Sequence, residues 1–293
     1  MSFRDEIADK LKRERPNLSA SSLKTYVSIL YNLKKKLDGD DNLKFFDEDD
    51  KILESLASKE PQTRKTTLSA LFVLTGKSSY NDLMLTDCKH TNEIYKQQKK
   101  TQKQEEGWMK IEEIQTVYDE LFTTVTAMFQ KKLLANYQTI IHFILLGCLG
   151  AGCSGLPPRR SLDYTEMKVK NYDVHKDNYY KNGVFYFNIY KTSKTYGQQT
   201  LDVKSLAPEF NKILKKWVTC NPTDYLLFSS VEKKLEPSQI TRMISNMLGK
   251  NISTDLLRHI YLTEKYGKVQ AEMLTDSVAM GHDTQTQALY IKK

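Results

Sequence analysis

Hydrophobic positions recur at helical spacing through most of the first ninety-odd residues. After Ser19-Ala-Ser-Ser22, the residues Leu23, Tyr26, Val27, Leu30, Leu33 and Leu37 fall on one face. That is the spacing of an amphipathic helix, with the serines placed to cap its start. Its other face carries Lys24, Lys34, Lys35 and Lys36. The acidic stretch Asp38 to Asp50 reads as a loop. Pro61 to Leu74 predicts a second helix, with Arg64 and Lys65 near its start. Lys96 to Lys103 contains no apolar residue and includes Lys99 and Lys100, so it reads as an exposed linker. Beyond it, Trp108 and Ile111 to Ile114 open an amphipathic helix, and Leu133 to Leu149 predicts a buried one. Polar and β-branched or aromatic residues then alternate over Met167 to Val174, Val184 to Lys191 and Thr200 to Val203, as in strands. Thr192 to Gly197 between the last two reads as a turn. From Leu206 the helical pattern returns. The expected fold is mainly α with a small antiparallel β-sheet: a helical domain over residues 1–95, a basic linker over 96–107, and a mixed α+β domain over 108–293.

Composition changes this picture little. The chain has 293 residues, 40% hydrophobic and 27% charged, enough for two ordinary globular domains. Its 44 Lys and Arg against 36 Asp and Glu give a net charge of +8, which suits a polyanionic partner without specifying one. Cys88, Cys148, Cys153 and Cys220 lack metal-type spacing, and no signal peptide precedes them, so reduced thiols in an intracellular protein are expected. The longest apolar stretch, Ile140 to Cys153, contains His142 and falls short of the roughly 20 residues of a membrane span. No glycine-rich phosphate loop and no internal repeat is present.

Four segments can carry chemistry, each with a plainer reading beside it. Leu156-Pro-Pro-Arg-Arg-Ser-Leu-Asp-Tyr164 follows the buried helix. It offers Arg159 and Arg160 as planar, permanently charged forks for phosphate oxygens, or as structural partners of Asp163. Lys191 and Lys194 belong to the hairpin turn and could reach a groove or simply face water. Ser253-Thr-Asp-Leu-Leu-Arg-His259 caps a helix and places Arg258 and His259 in its second turn. Met280-Gly-His-Asp-Thr-Gln-Thr-Gln-Ala-Leu-Tyr290 sets His282 eight residues before Tyr290, one of 17 tyrosines.

In this order, the four segments resemble the catalytic half of the tyrosine recombinase (phage-integrase) family, over roughly Trp108 to the end. The N-terminal helices resemble, more weakly, its core-binding, DNA-binding domain. The resemblance places Arg160 at the first arginine, Asp163 at the usual glutamate, and Lys191 at the hairpin lysine with Lys194 close behind. Arg258 and His259 match the Arg-His of the His-x-x-Arg-His box, Gly281 and His282 the Gly-His pair, and Tyr290 the nucleophile. In wording the chain is similar to recombinases of virophages, large DNA viruses and related mobile elements. It departs from the pattern in three places. Asp255 stands where the family has the first histidine of the box, which would repel a phosphate rather than attract it. The spacing from His282 to Tyr290 is about one residue short. Only Ile291, Lys292 and Lys293 follow the tyrosine, where relatives extend a helix onto a neighbouring subunit.

The family resemblance implies cleavage and rejoining of double-stranded DNA through a covalent phosphotyrosine, without metal, ATP or other cofactor. Arg160, Arg258 and His282 would hold the phosphate, Lys191 or Lys194 would protonate the leaving oxygen, and His259 would assist. Asp255 would orient Arg258 or stand aside. Lys24, Lys34, Lys35, Lys36, Arg64, Lys65, Lys99, Lys100 and Arg159 are candidate phosphate contacts, which position DNA without reading its sequence. The implied assembly is a homo-tetramer on paired DNA sites, a monomer when free, with no membrane partner. A viral member would work in the nucleus or a cytoplasmic viral factory. A type IB topoisomerase would use the same residues to relax DNA, and a DNA-binding protein on a decayed recombinase scaffold would use none of them for cleavage.

Overall fold

The computed structural model describes residues 2–132, 137–229 and 233–292, and the chain divides into two compact units, Met1–Lys100 and Thr101–Lys293. The first unit is helical: α1 (Phe3–Glu14), α2 (Ala20–Lys36), α3 (Asp49–Leu56), α4 (Pro61–Thr75) and α5 (Ser78–Lys96). Helix α2 starts where the sequence places it, with the Ser19 side chain accepting from the Ser22 N–H. Helix α4 begins on Pro61, whose missing N–H costs nothing in a first turn, and ends on Gly76 in the left-handed region. The acidic stretch after α2 is more than a loop. A 3-10 turn over Leu43–Asp47 buries Phe45 and Phe46 in the core beside Phe3, Leu30 and Leu71. Tyr80 donates to the Phe46 carbonyl across that core.

The second unit continues with α6 (Gln102–Gly107), α7 (Ile111–Gln130), α8 (Tyr137–Leu149), α9 (Ser161–Thr165), β1 (Met167–Lys168), β2 (Asn178–Lys181), β3 (Val184–Phe187), α10 (Ser193–Tyr196), β4 (Gln199–Asp202), α11 (Val203–Leu206), α12 (Pro208–Cys220), α13 (Pro237–Leu248), α14 (Thr254–Ala279) and α15 (Thr284–Tyr290). Helix α6 occupies part of the expected linker and carries a capping box between Thr101 and Gln104. Every residue of α8 from Ile140 to Leu149 is buried except His142. Gly147 in it lets the Phe210 ring of α12 pack directly on the backbone, where a Cβ would stand only 2.2 Å from that ring. The expected start of this helix, Leu133 to Asn136, lies outside the described residues. Among the described residues, no helix is long and apolar enough to cross a membrane.

The sheet runs β1-β2-β3-β4. Two of its pairings are antiparallel, as expected, but β1 joins β2 in parallel, so the sheet is mixed. Strand β2 was hidden because Asn-Tyr-Tyr-Lys shows no alternation. The signal for it is the Asn182-Gly183 pair that follows, both residues at positive φ, the signature of a two-residue hairpin. Strand β3 is shorter than the expected Val184 to Lys191, and the expected turn holds the short helix α10. One face of the hairpin, with Tyr180, Phe185 and Phe187, packs into the core. On the opposite face Tyr172, Tyr179 and Tyr186 form a continuous ring stack.

Candidate active site

After α8 the chain turns through Gly152 and Gly155, both at positive φ. The Ser154 hydroxyl bonds back to the Gly147 carbonyl. This tight return buries Leu156 and delivers Pro157 and Pro158 to the surface with the two arginines behind them. The arginines separate at once. Arg159 donates from Nε to Asp163 Oδ2 at 2.8 Å and from Nη1 to Gln199 Oε1 at 3.0 Å. Its guanidinium also lies 4.0 Å from the Phe187 ring centroid and 5.3 Å from that of Tyr190. Arg160, at the N-cap of α9, is exposed, and among the described residues no side chain pairs with it. Arg159, a candidate DNA contact, thus links the sheet to α9 through its hydrogen bonds.

A polar depression of about 230 Å³ lies here, lined by Pro158, Arg159, Arg160, Asp163, Tyr190, Thr192, Gln199 and Arg258. It gathers residues nearly a hundred positions apart in sequence. Asp163 forms its floor. Burial pushes that carboxyl above its usual range, and the charges of Arg159, Arg160 and Arg258 only partly pull it back. Among the described residues, Asp163 Oδ1 has no hydrogen-bond partner although it is buried.

Arg258 comes from α14, whose first turn is capped by the Ser253 side chain. Leu256, Leu257 and Ile260 anchor that end in the core, so Arg258 projects from the half of the helix that is held. Its Nη2 donates to Asp255 Oδ1 at 2.7 Å, one turn back. The other oxygen of Asp255 lies 3.6 Å from His259 Nε2. Asp255 thus faces both members of the Arg-His pair.

Lys191 and Lys194 are exposed, Lys194 on α10. Tyr190 and Thr192, the neighbours of Lys191, both line the depression. The Tyr190 hydroxyl donates to the Gly197 carbonyl at 2.7 Å, closing the lysine-bearing loop at its base.

Tyr290 and His282 do not join this set. Tyr290 is 67% exposed on α15, and neither residue lines the depression. Their rings stack on each other, centroids 5.7 Å apart. Asp283 caps α15 by accepting from the Thr286 N–H, a bond that also lowers its own pKa. Beyond Tyr261, α14 leaves the core, with Leu262, Tyr266, Val269, Leu274 and Val278 exposed.

Of the candidate contacts in the first unit, Lys24, Lys35 and Lys36 are exposed. Lys34 pairs with Asp41. Lys65 is half-buried, and Lys99 and Lys100 are exposed just beyond α5. Arg64 is held within the unit. It forms a two-pronged pair with buried Asp87, at 2.8 and 2.6 Å, and donates to the Ala57 carbonyl, so it ties α4 to α5.

Asn178 escaped the sequence reading. It is fully buried on β2, and its amide makes four bonds: to the carbonyls of Asp163 and Ile189, and from the N–H groups of Asn188 and Ile189. A lone asparagine in an apolar strand was its only trace.

No protein-family model matches the chain. None of the curated proteins matches it either. Among solved structures it is similar to XerA recombinase, at 12% identity over 89% of this chain and 82% of that one, with a TM-score of 0.36. It is also similar to the XerH site-specific recombinase bound to difH substrate in a pre-cleavage complex, at 14% identity over 99% and 92% of the chains, with a TM-score of 0.40.

Proposed function

We propose that this chain is a tyrosine recombinase, cutting and rejoining duplex DNA through a phosphotyrosine at Tyr290. The observation that supports it best is the meeting of Arg160 and Arg258 in one polar depression, with Lys191 between two of its lining residues. Two permanently charged forks side by side suit the charge that builds on the nonbridging oxygens of a five-coordinate phosphorus. In the proposed step the Tyr290 oxygen bonds to phosphorus as the bond to the 5′-oxygen breaks. Lys191, or Lys194, gives that oxygen a proton. The tyrosine's own proton leaves to His259, His282 or water. The phosphoryl group stays on the enzyme as a 3′-phosphotyrosine, so a second 5′-hydroxyl reverses the step without ATP. The exposed lysines of α2 and the residues after α5 would hold the backbone of the duplex.

This chemistry requires Tyr290 to reach a phosphate held by the arginines. The exposure of Tyr290 outside the depression favours a second reading, a DNA-binding protein that never cleaves. One experiment separates them. The chain is incubated with a pool of nicked suicide duplexes of randomised sequence and resolved on a denaturing gel. A covalent adduct that Tyr290→Phe abolishes supports the enzyme. No adduct with the parent chain supports the binding protein.

A further inference from the structure

Strand β3 ends at Phe187, and the chain then leaves the ladder to reach Lys191 four residues later. Backbone groups that lose ladder partners inside a protein must find others. Asn178 supplies them. Its Oδ1 accepts from the N–H groups of Asn188 and Ile189 at 2.7 and 2.6 Å, and its Nδ2 donates to the carbonyls of Ile189 and Asp163 at 2.7 and 2.9 Å. An asparagine amide has two donors and one oxygen with two acceptor positions, so its capacity is fully used. These bonds fix the segment just before Lys191 to α9, one turn from Arg160. Asp163, whose carbonyl takes part, is also the residue whose side chain holds Arg159.

The consequence is a lever of fixed length. Tyr190 follows the clamp directly. It is buried, lies against Arg159, and closes the loop through Gly197. Lys191 is the next residue, so its backbone position relative to Arg160 is set by the Asn178 clamp and by Tyr190, both just before it. Lys194 sits farther along, on α10, in the loop that Tyr190 closes, and is three residues more distant from the Asn178 clamp.

We propose that Asn178 is a positioning residue that acts through Lys191, setting that lysine to protonate the leaving 5′-oxygen. This rests on the recombinase reading and adds to it a choice between the two lysines. Misplacing a reacting group by about 1 Å can cost on the order of 10²-fold in rate.

The test uses two suicide-duplex pools, one ordinary and one whose bridging 5′-oxygen is sulfur, a leaving group that needs no proton. The expected result for Asn178→Ala is a cleavage rate on the oxygen substrate lower by roughly 10- to 100-fold, recovering to near the parent rate on the sulfur substrate, as for Lys191→Ala. Ile189→Pro is the companion, because it removes one N–H that Asn178 accepts at a residue whose side chain is 41% exposed. It should show a smaller defect with the same rescue, and it carries the test alone if Asn178→Ala does not fold. Equal slowing on both substrates, or an unaltered rate for Ile189→Pro on oxygen, would overturn the proposal while leaving the enzyme reading intact. Failure of the parent chain to form any adduct would overturn the enzyme reading and this proposal together.

Discussion

Arg159 donates to Asp163, four residues on, at 2.8 Å, and the two form a largely buried ion pair with side chains 20% and 2% exposed. Arg160, the next residue, turns outward instead. Adjacent arginines therefore do opposite work, one locking α9 to the sheet and one left free beside Arg258. Removing one partner of a buried pair leaves an uncompensated charge, a cost of about 3–5 kcal/mol. Arg159→Ala should accordingly lower the unfolding free energy by a few kcal/mol, read by urea denaturation. Arg160→Ala should leave stability nearly unchanged and slow adduct formation by roughly 10²-fold or more, the scale for losing one preorganised charge donor. A stable Arg159→Ala chain that cannot cleave would reverse the two assignments.

The same pair makes a prediction about pH. Burial raises the Asp163 carboxyl pKa above 3.8 despite three nearby arginines. A carboxyl raised on folding contributes stability that is fully present below its unfolded pKa and is lost as pH rises through the folded one. Asp163→Asn has no such titration. The stability of the variant relative to the parent should therefore climb as pH rises from about 3.8 and level off above the raised pKa, read by denaturant unfolding at several pH values. A difference independent of pH would mean that the three arginines fully offset the burial of Asp163.

How much of this was legible beforehand differs from element to element. Helix α2 was read from its Ser19 cap and apolar face, and α4 from Pro61, because caps and periodicity are local. The tie between Arg64 and Asp87 was not, since it joins residues 23 apart on different helices and nothing in either neighbourhood announces the other. The Arg-Arg pair could be narrowed only by its spacing to Asp163. Which arginine faces the core depends on Gln199 and Phe187, which the fold brings from the sheet. Strand β2 hid behind a polar residue facing inward, and that residue, Asn178, matters because of contacts no pattern records. That Tyr290 is exposed and does not line the depression is likewise invisible in its spacing from His282.

Asp255 has a graded prediction. It accepts from Arg258 at 2.7 Å and lies 3.6 Å from His259, so it holds the arginine ready while offsetting part of its charge. Asp255→Ala should slow adduct formation, and Asp255→Asn, which keeps an acceptor oxygen, should slow it less. Asp255→His removes a negative charge and adds a donor, so cleavage should be unchanged or faster. Single-turnover rates for the three variants check this. Equal and negligible effects would remove Asp255 from the site.

The last prediction concerns the reach of Tyr290. Gly267 stands inside α14, between the end anchored by Ile260 and the exposed end that leads to α15. A Cβ placed there would meet nothing nearer than Thr263 Cγ2 at 3.6 Å, so packing does not require glycine. Alanine should fit and stabilise the helix by about 1 kcal/mol, raising the melting temperature modestly. Arg258 lies before Gly267 and Tyr290 after it. A cleaving state that brings the two together by bending α14 would bend most easily at Gly267, the one glycine within that helix. If bending there is part of the cleaving state, the same 1 kcal/mol opposes it. Gly267→Ala should then form adduct up to about fivefold more slowly while binding the duplex pool as the parent does. A variant that is both more stable and faster would mean that the continuous helix is itself the cleaving form, and that Tyr290 reaches its phosphate from the exposed position it occupies here.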